Sequence, residues 1–286
     1  MFRNARTRKF ARKTVNKTVI YAMLVPIAAI FTTPLLWLAS TALKPDALMA
    51  QWPPVWIPLP PQWINFVEVF TEGRFGLYLQ NTLTIAVLAT IGSVLTASMA
   101  AFGFSQLRFP GRRFLFGVLL ATMMLPGVVT LIPTFILFKN LHWLNSYRPL
   151  ILPAYFGGSA FFIFLLRQSF MGIPHELFEQ ARIDGASSWR QYWQIMLPLS
   201  KPVLSTVMIF SLMGHWNDFM NPLIYINNPD RFTLSLGLRQ YQSLSGSIRF
   251  QDQMAFALLM TLPLLIAFFS FQQYFIKGVV MTGLKG

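Results

Sequence analysis

Long uncharged apolar runs alternate with short charged segments along this chain. No Asp, Glu, Lys or Arg interrupts 18–43, 75–107, 114–138, 149–166, 202–217 or 253–276. About 20 apolar residues in a helix cover a hydrocarbon layer of roughly 30 Å. Four of the six runs exceed that length. The run from 149 reaches it by continuing past Arg167, whose long side chain can snorkel to the interface. The run from 202 reaches it by continuing through Asp218 to about Met220. The pattern predicts an all-α integral membrane protein with six transmembrane helices. A seventh uncharged run, 47–67, contains Pro53, Pro54, Pro58, Pro60 and Pro61. Lipid offers no partner for a backbone so interrupted, so this run reads as a loop. Trp52, Trp56 and Trp63 would rest at the membrane interface.

Composition agrees. Of 286 residues, 55% are hydrophobic and only 11% charged, against about 25% charged in soluble domains. A soluble shell and a disordered chain are both excluded. The net charge of +14 would suit nucleic acid, but its placement has another cause. With the N-terminus cytoplasmic, the inner segments carry seven basic residues in the arm 1–17. They also carry Arg108, Arg112 and Arg113, then Arg167, Arg182, Arg190 and Lys201, and finally Lys277 and Lys285, sixteen in all. The outer segments carry seven: Lys44, Arg74, Lys139, Arg148, Arg231, Arg239 and Arg249. Retention of positive charge inside sets topology, which predicts both termini cytoplasmic and no nucleic-acid partner. The arm precedes an apolar run longer than the roughly 7–15 residues of a cleavable signal, so it reads as an uncleaved anchor. The chain thus divides into the basic arm 1–17 and a membrane domain 18–286, with external loops at 43–76 and 221–253 and an internal segment at 172–202.

The chemistry that is missing narrows function further. There is no cysteine, and His142, His175 and His215 are scattered, so no metal site is expected. No phosphate-cradling G-x-x-x-x-G-K-[ST], His-Glu-x-x-His or G-x-S-x-G occurs. The chain is not expected to be an enzyme, and any ATP must be hydrolysed by another polypeptide. A carrier driven by an ion gradient favours paired intramembrane acids, and only Asp218 qualifies. Asp218, beside His215 and Asn217, is a candidate pathway or gate group. A carboxylate near a helix end also reaches water without any role in transport. Asn81, Thr82, Thr84, Ser93, Thr96 and Ser98 make the second span polar. Asn81 and Thr84 are pathway candidates, although small polar residues also serve routine helix packing.

Residues 172–202 read GIPHELFEQARIDGASSWRQYWQIMLPLSKP. Pro174 suits a first helical position, and Leu177, Phe178 and Ala181 form an apolar stripe at helical spacing. Gly185 can supply a left-handed terminus, Ser188 with Gln191 fits a capping box, Pro198 interrupts, and Pro202 suits the next helix's first turn. One reading is an amphipathic loop on the inner leaflet, anchored by Trp189, Tyr192 and Trp193. The order Glu179, Ala181, Asp184, Gly185, Ala186, then Ile195, Leu197, Pro198 resembles the EAA loop of ABC-importer permeases. Gln180 departs from it, standing where that family usually has alanine. Gln80-Asn81-Thr82, Phe109-Pro110-Gly111-Arg112, Trp216-Asn217-Asp218-Phe219, Gln273-Tyr274-Phe275 and Lys285-Gly286 look like its carbohydrate-type, maltose-permease-like branch.

The resemblance implies a type I ABC-importer permease fold in a bacterial or archaeal plasma membrane. It also implies a second permease subunit, two copies of a cytoplasmic ATPase that bind MgATP, and an extracytoplasmic solute-binding protein. No cofactor would be bound by this chain itself. Glu179, Ala181, Asp184, Gly185, Ala186, Ile195, Leu197 and Pro198 would couple it to the ATPase. The transported solute would be a sugar or related polyol.

Overall fold

The structure is a computed structural model and describes residues 3–244 and 249–283. Its described residues form helices and no strands. In chain order these are α1 (Arg3–Ala42), α2 (Asp46–Met49), α3 (Ile64–Thr71), α4 (Phe75–Gln106), α5 (Arg112–Thr122), α6 (Gly127–Asn140), α7 (Arg148–Ile151) and α8 (Ala160–Phe170). There follow α9 (His175–Ile183), α10 (Ser188–Gln191), a π-helical turn (Tyr192–Met196), α11 (Leu197–Leu199), α12 (Lys201–Trp216), α13 (Met220–Tyr225), α14 (Leu234–Leu244) and α15 (Phe250–Gly283). The expected Lys285-Gly286 signature lies outside the described residues.

Four described helical stretches are long and apolar enough to cross a membrane: Ile20–Ala42, Phe75–Gln106, Arg148–Met171 and Phe250–Ser270. The number rises to six if each of two bent pairs is one span. The run 114–138 is not one straight helix. It bends by 99° between α5 and α6, where Pro126 takes an extended conformation (φ −60°, ψ 133°) ahead of Gly127. Nor does the fifth run continue through Asp218. The helix α12 stops at Trp216, and Asn217 turns its amide back onto the Met213 carbonyl at 2.9 Å. Asp218 accepts instead from the Asn221 backbone N–H at 3.2 Å, the kind of local bond by which Asp ends one helix and starts another. Upstream, Ser188–Leu199 meets α12 at 82°. Within 47–67 the proline-rich stretch is irregular, but Ile64 already begins α3.

The chain forms two compact units. One holds residues 1–73 and 241–259. Here the Asn65 amide donates to the carbonyls of Ala42 (2.9 Å) and Lys44 (3.2 Å). Arg249 pairs with Glu68 and, at 3.4 Å, with Asp252, while Gln251 donates to Asp46. Lys44 lies over the Trp37 ring, 3.8 Å from its centroid, and burial lowers its ammonium pKa.

The other unit holds residues 74–240 and 260–286. It is organised on α4, which packs against α8 and α12. Ala86, Ala89, Ser93, Ala97 and Ala101 are buried on α4 at helical spacing. Small residues let helix backbones approach closely where lipid supplies no hydrophobic drive. Among the glycines of α4, Gly92 is the tightest case, since a Cβ there would meet the Tyr155 ring at 2.6 Å.

Candidate functional site

Segment 172–202 forms two short helices joined by a complete glycine turn. Asp184 ends α9 (φ −75°, ψ 8°) and Gly185 adopts φ +78°. The Gly185 N–H then donates to Arg182 O (3.1 Å) and the Ala186 N–H to Ala181 O (2.8 Å). This pair of bonds is the Schellman motif, which satisfies carbonyls left open at a helix end. Its chemistry accounts for three expected residues: Gly185 carries the left-handed conformation, and Ala181 and Ala186 face each other across the turn. Both helix starts differ by one residue from the sequence reading, the first falling later and the second earlier. Pro174 precedes the first helical residue, His175. Ser187 rather than Ser188 is the second cap, its hydroxyl accepting from Arg190 N at 3.3 Å. Pro198 lies in the first turn of α11 instead of ending the helix before it, and Pro202 sits in the first turn of α12 as expected.

This segment is seated in a core, which the interfacial-anchor reading did not foresee. Phe178, Tyr192 and Met196 are buried together with Ala97, Ala101 and Phe102 of α4 and Leu166 and Phe170 of α8. Tyr192 shares a hydrogen bond with Ser98 at 2.7 Å and packs on Phe102 at 5.5 Å. It is therefore not an interface anchor, whereas Trp189 and Trp193 are exposed. Ile195 and Leu197 rest against the same core. Glu179, Asp184, Gly185 and Pro198 are exposed.

A separate cavity of about 570 Å³ is walled by α4, α6, α8, α12, α13 and the 149–159 segment. His215 and Asp218 both line it. Asn81, Thr84 and Asn217 do not. The Asn81 amide donates to the carbonyls of Asp230 (3.0 Å) and Phe232 (2.9 Å), and Thr84 donates to Gln80 O at 2.8 Å. Other lining groups are Ser93, Thr134, Ser159, Ser211, Asn221 and Tyr225. Sequence reasoning noted Ser93 among the polar residues of its span and missed the others. The available signal was Asn221 three positions after Asp218, whose carboxylate accepts the Asn221 side-chain amide at 2.8 Å. The Ser211 hydroxyl is buried without a hydrogen-bond partner, so a water or a ligand hydroxyl entering there would satisfy it. One carboxylate, one imidazole and several hydroxyls can hydrogen-bond a polyhydroxylated solute. Among the described residues, no lysine or arginine lines this cavity.

Residues 92–281 match the family described as "Binding-protein-dependent transport system inner membrane component". The chain belongs to this family. Among curated relatives of this permease is the arabinooligosaccharides transport system permease protein AraQ of Halalkalibacterium halodurans. It is 34% identical, over 78% of this chain and 79% of that protein. The sn-glycerol-3-phosphate transport system permease protein UgpE of Yersinia pestis is 34% identical over 82% and 85%. The diacetylchitobiose uptake system permease protein NgcG of Streptomyces coelicolor is 30% identical over 93% and 87%. These relatives place the permease in the carbohydrate-type branch that the short motifs outside the loop resembled. Its fold is shared with a bacterial ABC transporter that imports the acidic polysaccharide alginate. The TM-score is 0.79 at 22% identity, covering 92% of this chain and 98% of that one. A second structure, that transporter with an alginate pentasaccharide-bound periplasmic protein, gives a TM-score of 0.65 at 18% identity over 91% and 94%.

Proposed function

We propose that this permease crosses a bacterial or archaeal plasma membrane six times with both termini cytoplasmic. With a second permease subunit it would enclose the pathway of an ATP-driven importer for sugars or related polyols. Two copies of a cytoplasmic ATPase would supply MgATP hydrolysis, and an extracytoplasmic binding protein would deliver the solute to the external loops. The observation that carries this reading is the seating of segment 172–202. Phe178, Tyr192 and Met196 are locked into the α4–α8 core while Glu179, Asp184 and Gly185 face outward. An anchored element with a polar exposed tip suits force transfer from a docked partner better than a loop lying on lipid. Glu179, Ala181, Asp184, Gly185, Ala186, Ile195, Leu197 and Pro198 are assigned to that coupling.

The cavity bears on the solute. With Asp218 as its carboxylate and no cation opposite, an anionic solute would meet unopposed like charge. Uncharged saccharides are therefore favoured over phosphorylated or uronic acid substrates. The test is ATP-dependent uptake into vesicles containing the assembled transporter, together with crosslinking from Ser187→Cys. Uptake of neutral oligosaccharide and a crosslink to the ATPase are expected. ATP hydrolysis by this polypeptide alone, or uptake that needs an ion gradient and no ATP, would overturn the proposal.

A further inference from the structure

We infer that the permease carries a binding site for the headgroup of an anionic phospholipid, formed by arginines between the end of α4 and the coupling segment. A cavity of about 660 Å³ there is lined by Arg108, Arg112, Arg182, His175, Glu179 and Gln191. A second hollow of about 500 Å³ shares Arg108, Phe109 and Arg112 and adds Arg113 and Phe114. Among the described residues, none of these four arginines lies within 4.0 Å of a carboxylate. Arg112 uses one guanidinium nitrogen on the Leu107 carbonyl at 2.9 Å, which fixes its position beside the cavity. Glu179 is the one carboxylate in either lining, so the combined site is strongly cationic.

A general excess of inner positive charge needs no cavity and no convergence of separate elements. Here the arginines come from the α4–α5 turn, α5 and the last turn of α9, and they surround a concave space. Guanidinium groups suit phosphate because their planar donors bind its oxygens two at a time. The apolar neighbour decides for lipid over a free anion. Phe114 is 74% exposed and Phe109 37% exposed beside the same arginines, so an acyl chain can lie on the rings while the phosphate enters the cationic hollow. Basic pockets between helices at the cytoplasmic face suit this ligand, and each arginine near an anionic surface contributes about fivefold in affinity. The inference rests on the inward orientation proposed above. It also brings a lipid against Glu179 and Arg182, on the helix assigned to coupling.

The experiment is native mass spectrometry of the full-length chain in neutral detergent, titrated with phosphatidylglycerol and, as reference, phosphatidylcholine. Wild type should retain phosphatidylglycerol selectively. Together, Arg108→Gln and Arg182→Gln should weaken it by about 25-fold. The Arg108→Lys, Arg182→Lys pair should retain most of the binding, which separates loss of the site from loss of the fold. Arg190→Gln, an exposed arginine outside the cavity, should change binding less than twofold. Equal binding of the two lipids, or an equal loss in Arg190→Gln, would overturn the site. Displacement of phosphatidylglycerol by millimolar inorganic phosphate that itself remains bound would overturn the lipid assignment. Outside labelling of Ser187→Cys would sink the orientation while leaving binding in micelles intact, so the two failures are distinguishable.

Discussion

Substitution of Gly185 separates a backbone requirement from a steric one. A Cβ placed there meets nothing within 4 Å, so any penalty comes from φ +78° alone. That conformation costs a residue with a β-carbon roughly 1–2 kcal/mol, is better tolerated by Asn, and is worst for β-branched side chains. Two hydrogen bonds depend on it, Gly185 N–H to Arg182 O and Ala186 N–H to Ala181 O, each contributing about 1 kcal/mol net. The expected order of damage is therefore Asn, then Ala, then Val. Hydrogen exchange at the Ala186 amide should accelerate on the order of fivefold or more for Gly185→Ala, and further for Gly185→Val. Phe178 and Tyr192 should keep both helices seated, so membrane levels should stay normal. Uptake, and stimulation of the ATPase by loaded binding protein, should fall in the same order. Exchange in Gly185→Ala equal to wild type would refute the strain argument. Wild-type transport by Gly185→Val would remove the coupling role from this turn.

Other perturbations probe separate parts of the structure. Because the chain contains no cysteine, Gln62→Cys should react with an impermeant reagent from outside sealed cells and Ser187→Cys should not; the reverse pattern would invert the topology. Gly92→Ala forces a methyl into the Tyr155 ring, 2.6 Å away, and should destabilise by about 1–3 kcal/mol. Thermal unfolding in detergent measures this, and adding Tyr155→Leu should recover part of the loss. Asp218→Asn keeps an acceptor for Asn221 but removes the cavity's carboxylate. It should lower uptake of neutral sugar severalfold while basal ATPase activity persists, and unaltered uptake would take Asp218 out of the pathway. Glu179→Lys should leave membrane levels unchanged and reduce uptake, which an uptake assay on matched membranes reads directly.

Much of the architecture is legible in one property, the absence of charge over long runs. Burial of charge in lipid is costly, so those runs appear as helices wherever they are long enough. The breaks are less legible because hydropathy is blind to them. Met123-Met124-Leu125 is as apolar as its neighbours, yet the chain bends there before Pro126. Asp218 could cap a new helix or snorkel from an old one, and the choice depends on Asn221. The Schellman turn was readable from Gly185 with Ala186, because only backbone chemistry is involved. Its partner cap was misplaced because Ser187 and Ser188 are chemically equivalent as caps. The cavity was hidden for another reason. Ser93, Ser159, Ser211 and Asn221 are ordinary packing residues in their own helices, and only the tertiary fold brings them to one wall. Tyr192 beside two tryptophans suits an interface in the sequence, and only the fold supplies Ser98 as a buried partner for its hydroxyl.

The placement of Ser93 and Ser98 on a single helix has a mechanical consequence. Ser93 faces the cavity, and Ser98 and Phe102, a turn or two further along α4, grip Tyr192. At about 1.5 Å per residue the whole of α4 is a rod some 48 Å long, with no proline along its length. A tilt of about 5° would carry one end of that rod about 4 Å relative to the other, and Ser93 about 1 Å relative to Phe102, nine residues away. If the anchored segment couples as proposed, a push on it would reach the cavity wall as rotation of a stiff beam, without a chain of rearranging side chains between them.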